Sequence, residues 1–177
     1  MLNVALKAVV DKLNVYLKSR FSLTKDKVEL SSILKSEGGS TSTNTEKITV
    51  TLVGINQEKN IKIPVINPAD SPIYLNLNVL VSVYFGEEGS YEQALKELSA
   101  VISFFQANSV LTPQNTPELG NNIDKLVFVI EPQDMTTMQN MWSMLGGKHT
   151  PCILFKVTMV GIDEGNASMG GTIGIGG

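Results

Sequence analysis

The stretch Ile73 to Phe85, IYLNLNVLVSVYF, alternates strictly with a period of two. Ile73, Leu75, Leu77, Val79, Val81, Val83 and Phe85 fall on one side, and Tyr74, Asn76, Asn78, Leu80, Ser82 and Tyr84 on the other. Successive side chains of a strand point to opposite faces, so the pattern predicts a strand with one apolar ridge and one face of amide, hydroxyl and phenol groups. At roughly 3.3 Å per residue such a strand would run about 43 Å, longer than usual. A polar but uncharged face of that length suits contact with another protein.

The flanks extend this reading. Downstream, past Gly86 and Gly89, Ser90 followed three residues later by Gln93 matches a capping box. The helix it opens is expected to run to about Asn108, with Tyr91, Ala94, Leu95, Leu98, Val101, Ile102 and Phe105 on one face. That face can cover the strand's apolar ridge, which gives an α-on-β layer. Upstream, Glu46 to Asn56 and Ile61 to Ile66 read as a hairpin, with Pro64 placing its second strand at an edge. Asn67 to Pro72 is a turn-rich connection.

Nearer the N-terminus, Leu2, Ala5, Leu6, Val9, Leu13, Tyr16 and Leu17 repeat at helical spacing. Asp11, Lys12, Asn14 and Lys18 then occupy the opposite, solvated side of an amphipathic helix. Val28 to Leu34 reads as a short strand. Lys35 to Thr45, KSEGGSTSTNT, has no apolar residue and is expected to be a mobile loop.

Toward the C-terminus, Ser109 to Asn122 carries Pro113, Pro117 and Gly120 and reads as a long ordered or semi-ordered loop. Lys125 to Glu131 is a buried-type strand. Asp134 is the expected N-cap of a short helix through Leu145, ended by Gly146 and Gly147. Cys152 to Ile162 is the last strand. Six of the final fifteen residues are Gly, too little apolar surface to offset glycine's backbone entropy. The expected organisation is one α+β domain over 1–162 and a flexible Gly-rich tail over 163–177.

Composition narrows the function. At 177 residues the chain fits one domain, and 42% apolar content can build its core. Charged residues make up only 18%, with Ser, Thr and 14 Asn in their place. Uncharged polar surface is cheaper to desolvate than charged surface, which favours protein contacts. A net charge of −3 without a basic run argues against nucleic acid. The single Cys152 cannot form an internal disulfide and points to a reducing compartment. Asp11 and Lys12 interrupt the N-terminal apolar run before any cleavage-like site, so no signal peptide is read. No apolar window approaches the length of a membrane span. Synthesis in the cytoplasm is expected.

No catalytic, cofactor-binding or metal constellation is legible. His149 and Cys152 are close in sequence, but Cys152 sits in an apolar strand run and reads as structural. One His and one Cys do not make a zinc site. Gly146-Gly147-Lys148 lacks the upstream Gly of a phosphate loop and follows a helix where such a loop precedes one. Glu87-Glu88 and Asp163-Glu164 read as solvated loop charges. Met135, Met138, Met141, Trp142 and Leu145 form a Met-rich stripe, read as core, with Trp142 packing beneath the last strand. In the tail, Thr172-Ile173-Gly174-Ile175 alternates and could add as an edge strand to a neighbouring subunit.

Four segments in order carry a resemblance: LNVALKAVVDKLNVYL at the start, SPIYLNLNVLVSVYFGEEGSYEQALKELSAVISFFQ in the centre, then NSVLTPQNTP, and MWSMLGGKHTPCILFKVTMV late in the chain. Together they resemble the N-terminal domain of the cap, or tube-terminator, protein of phage-tail-like contractile injection systems, over about residues 2–162. The tail beyond Asp163, the loop Lys35 to Thr45 and the lack of a second domain depart from that pattern. The resemblance implies a phage-tail-terminator-like α+β subunit with a mixed, largely antiparallel sheet flanked by helices. It implies a homo-hexameric ring on the inner tube, contacts with tube and sheath proteins, no cofactor, and a place in a particle released from the cell or held in it.

Three surfaces are the expected contacts: the strand face Asn76, Asn78, Ser82 and Tyr84, which a helix could equally cover; the loop residues Thr112, Gln114 and Asn115; and Ile173 and Ile175 in the tail. Competing readings are a monomeric adaptor or tail-completion module of a phage-like or secretion assembly, and a small hydrolase using His149 or Cys152.

Overall fold

The computed structural model describes residues 1–32, 46–58, 73–85, 89–145 and 150–161. Along the chain these form α1 (Leu2–Phe21), β1 (Val28–Leu30), β2 (Lys47–Gln57), β3 (Ile73–Tyr84), α2 (Tyr91–Ala107), β4 (Val110–Leu111), a 3-10 turn (Pro117–Leu119), β5 (Ile123–Ile130), α3 (Met135–Leu145) and β6 (Cys152–Gly161). Local chemistry sets the boundaries. α1 ends where Ser22 turns left-handed at φ 53° and its N–H bonds Lys18 O. Ser90 Oγ accepts the Gln93 N–H at 3.3 Å, which starts α2. Only half of the capping box is made, because the Gln93 side chain turns to Glu97 Oε1 instead. Asp134 Oδ1 accepts the Thr137 N–H at 2.6 Å, which caps α3 and holds the Asp134 carboxyl below its usual pKa.

The strands form one mixed sheet in the order β1-β2-β3-β6-β5-β4. β1 and β2 run parallel; all other neighbours are antiparallel. This is the α+β architecture, with a mixed, largely antiparallel sheet and flanking helices, that the resemblance implies. The long strand β3 is central, paired along its length with β2 and β6. Its register with β2 shifts between Leu52 and Gly54, so two residues face one. A Cβ on Gly54 would lie 3.3 Å from Asn78 Nδ2, so the missing side chain admits that amide. The expected hairpin partner Ile61 to Ile66, the loop Lys35 to Thr45 and the tail 163–177 lie outside the described residues.

α1 and α2 cover the odd-numbered face of β3. Leu77, Val79, Val81 and Val83 are buried in one core with Leu13 and Leu17 of α1 and Val101, Phe104 and Phe105 of α2. Phe105, Phe128 and Phe155 meet at its centre, with Phe105–Phe155 ring centroids 4.5 Å apart and Phe105–Phe128 4.6 Å. The predicted loop Ser109 to Asn122 is ordered and holds short regular elements. It contains β4 and the 3-10 turn, because Leu111, Thr116 and Leu119 are buried against the helical layer.

Asn14 corrects the sequence reading. It was expected on the solvated side of α1, yet it is 5% exposed. Its Oδ1 accepts the N–H groups of Lys27 (3.0 Å) and Val28 (2.9 Å), and its Nδ2 donates to Val28 O at 2.9 Å. The amide thus takes the place of a further strand along β1. Nearby, Lys27 Nζ bonds the buried carboxylate of Glu97 and, at 3.0 Å, Glu46. Burial pulls the Lys27 pKa down, but the hydrogen bonds and charges of Glu97 and Glu46 outweigh it and hold the pKa above 10.5.

A candidate assembly surface on the second face of the sheet

The even-numbered face of β3 is built from cross-strand rows. Thr51, Leu80 and Leu154 align across β2, β3 and β6, and Asn56, Asn76 and Thr158 form another row. α3 lies on this face. Trp142 is buried against Leu80 and Leu154, with Val53, Met138, Met141 and Cys152 packed around them. The Met-rich stripe is therefore core at Met138, Met141 and Trp142, whereas Met135 is 84% exposed. Burial pushes the Cys152 thiol pKa up, and the Trp142 indole beside it offsets part of that rise. His149 lies outside the described residues.

Beside α3 a groove of about 450 Å³ opens. Val53, Asn78 and Leu154 form its floor, Thr137, Asn140 and Met141 one wall, and Glu131 and Gln133 the other. Its lining mixes amides and a hydroxyl with apolar side chains and one carboxylate, a set suited to hydrogen bonding with a polypeptide. Among the described residues no group of His, Cys, Asp and Glu could hold a metal ion. No described helix is long and apolar enough to cross a membrane.

The predicted contact residues divide by burial. Asn76 is buried: its Oδ1 accepts the Thr158 hydroxyl at 2.9 Å and its Nδ2 donates to Glu58 Oε2 at 2.8 Å. Ser82 is also buried, and its hydroxyl has no hydrogen-bond partner. Asn78 and Tyr84 are half-buried. Removing the orphaned hydroxyl, Ser82→Ala, is expected to leave stability unchanged or raise it by about 0.5–1 kcal/mol. Urea denaturation checks this; a loss of that size would show that the hydroxyl finds a partner in solution.

The three loop residues act as one turn. Asn115 Oδ1 accepts from the Thr112 N–H at 3.0 Å and the Thr116 hydroxyl at 2.9 Å, and its Nδ2 donates to Val110 O at 3.0 Å. Lys12 Nζ of α1 donates to Asn115 O at 2.6 Å. Asn115 is a turn organiser, and Gln114 is the exposed tip that it presents. Ile173 and Ile175 lie outside the described residues.

Sequence reasoning left open that a helix covers this strand face but did not assign α3 to Leu80, and it did not find the exposed apolar residues Val110, Val129, Ile130 and Met135. A signal existed. Leu80 is the one aliphatic side chain on an otherwise polar strand face, and α3, MTTMQNMWSML, has no charged residue. A lone apolar residue among polar neighbours marks where a second element lands.

The model of the Pvc16 N-terminal domain family matches residues 5–172. The chain belongs to this family. Among solved structures, this Pvc16 N-terminal domain is similar to the sheath/tube terminator of PVC, an extracellular contractile injection system, in its extended state: TM-score 0.65 at 13% identity, covering 100% of this chain and 62% of that one. It is also similar to the tube-terminating cap of the anti-feeding prophage, AFP: TM-score 0.63 at 13% identity, covering 98% and 59%. At this identity the likeness establishes the fold, and the domain spans about three fifths of the length of either cap chain. Among curated protein sequences none matches.

Proposed function

We propose that this Pvc16 N-terminal domain is a structural cap. It forms a ring on the distal end of the inner tube of a contractile injection system, ends tube polymerisation and holds the end of the sheath. The observation that carries this reading is the shared fold over the whole chain with two proteins described as terminators, together with this chain's membership of the Pvc16 N-terminal domain family.

The physics of filament ends supports it. A head-to-tail contact that closes makes a ring, and an open filament stops growing when its end is covered by a face unlike its own. Capping of this kind needs steric occupation and hydrogen bonds, with no turnover and no cofactor. In this reading the ring is a homo-hexamer assembled in the cytoplasm, with tube and sheath proteins as its partners. Asn78, Tyr84 and Gln114 make contacts; the buried Asn76 and Ser82 and the turn residues Thr112 and Asn115 shape the surfaces that present them. Ile173 and Ile175 of the tail reach a neighbour.

Electron microscopy of particles assembled with and without the protein tests the proposal. Omission is expected to give tubes of uncontrolled length and few intact sheathed particles. Unchanged lengths with an intact blunt end would overturn capping and favour an adaptor role.

A further inference from the structure

The two outer margins of the sheet are finished differently. On the β1 side, Asn14 occupies both the N–H and the C=O of Val28 that face outward. β2 runs on past β1, but its expected partner Ile61 to Ile66 lies outside the described residues. On the far side, β4 covers β5 only at Leu126 and Val127, with one further bond from Phe128 N–H to Ser109 O at 2.8 Å. The Glu131 N–H turns inward to Leu154 O at 2.9 Å. Backbone groups alternate sides along an antiparallel strand, so the Ile130 N–H and C=O point away from the sheet. No described residue bonds the Ile130 groups, because the chain opposite has already become the C-terminus of α2.

Apolar side chains surround this open stretch. Val129 is 56% exposed and Ile130 45%; Met135, just beyond at the start of α3, and Val110 of β4 are exposed as well. Unbonded strand groups set among exposed apolar side chains are a template for an added strand.

We infer that this β5 edge receives the segment Thr172-Ile173-Gly174-Ile175 of a second copy of the chain, adding it as a strand. The inference rests on the ring reading above and names the acceptor for the tail. On β1 the Asn14 amide already holds the outward groups of Val28, whereas the outward groups of Ile130 have no partner among the described residues. Residues 172–175 carry no charge to desolvate, and Ile173 and Ile175 share one face of an extended strand, able to lie against Val129 and its neighbours. Thr172 comes eleven residues after Gly161, a span of about 36 Å when extended, longer than the roughly 23 Å of β5 from Ile123 to Ile130, so the segment is long enough to extend past its own sheet.

Cysteine cross-linking of the full-length chain tests this. In a Cys152→Ser background, Val129→Cys is combined with Ile173→Cys or with Ile175→Cys and oxidised with copper phenanthroline. At least one pair is expected to give a ladder of covalent dimers and higher species that reductant collapses, with no ladder from either single cysteine. A fast-migrating cross-linked monomer, or no cross-link from either pair, would overturn the inference. Because both test sites are surface or tail positions, thermal melts matching the parent confirm intact folding. As a second arm, Val129→Lys is expected to shift the assembly at least threefold toward monomer by mass photometry; an unchanged distribution would count against edge pairing. The two ideas separate cleanly: a failed cross-link in a protein that still sets tube length removes only this inference, whereas uncontrolled tube length in the presence of unmodified protein removes the capping reading.

Discussion

Phe155→Ala is expected to lower the free energy of unfolding by about 4 kcal/mol. Phe155 is 1% exposed and sits on β6, opposite Val79 of β3 and Ile130 of β5. Its ring lies 4.5 Å from that of Phe105 and 6.3 Å, edge-on, from that of Phe128. Phe105 in turn meets Phe104, and Phe104 meets Tyr16 of α1, so the cluster ties both helices to the sheet. Removing the ring deletes its transfer energy and leaves a cavity that three sheet strands and a helix cannot close without moving. For a chain of this length the loss corresponds to a fall in Tm of about 8–16 °C. Urea denaturation gives the value directly. A loss below about 1.5 kcal/mol would mean that the layer between α2 and the sheet collapses around the gap and is loosely packed.

The second large effect is electrostatic. Lys27→Met is expected to cost about 3 kcal/mol, because it strands the carboxylate of Glu97, only 4% exposed, with Gln93 as its remaining partner. The penalty comes from the uncompensated charge more than from the lost attraction. Lys27→Met combined with Glu97→Leu is therefore expected to recover most of the loss, and a purely additive double variant would refute that account. The pH dependence has a definite sign. The folded pKa of Lys27 is raised, so the folded state holds this proton more tightly than the unfolded chain. The stabilisation is complete below the ordinary value of 10.5 and is lost as pH rises through the higher folded value. Above pH 10.5 the parent protein should lose stability more steeply than Lys27→Met. Parallel curves would mean that Lys27 does not control that limb.

The candidate surface was legible in outline. The period-two pattern of Ile73 to Phe85 identified both faces of β3, and the apolar one is the core face as predicted. The polar one looked uniform in sequence, but the structure divides it. α3 covers Leu80 and Leu154, Asn76 is tied to Thr158 and Glu58, and Asn78 is left lining a groove. Alternation tells which residues share a face; it carries no information on what lies across from that face. Asn115 shows the same gap. Its polarity marked it as a contact, whereas its side chain is spent on holding the turn that exposes Gln114.

By itself the sequence determined the elements. The helices α1, α2 and α3, the strands β3, β5 and β6, the caps Ser90 and Asp134 and the α-on-β layer all follow from periodicity and capping chemistry, which act within a few residues. Only the tertiary structure decided the strand order, which places β6 between β3 and β5, because pairing joins residues about eighty positions apart. It also decided that Asn14 turns inward. A polar residue on a helix is solvated or buried according to what packs beside it, and here the neighbour is the open backbone of β1, whose N–H and C=O groups need a partner. The open margin of β5 arises in the same way. β4 is only two residues long because the chain has just left α2, and that geometry leaves the outward groups of Ile130 without a strand beside them among the described residues.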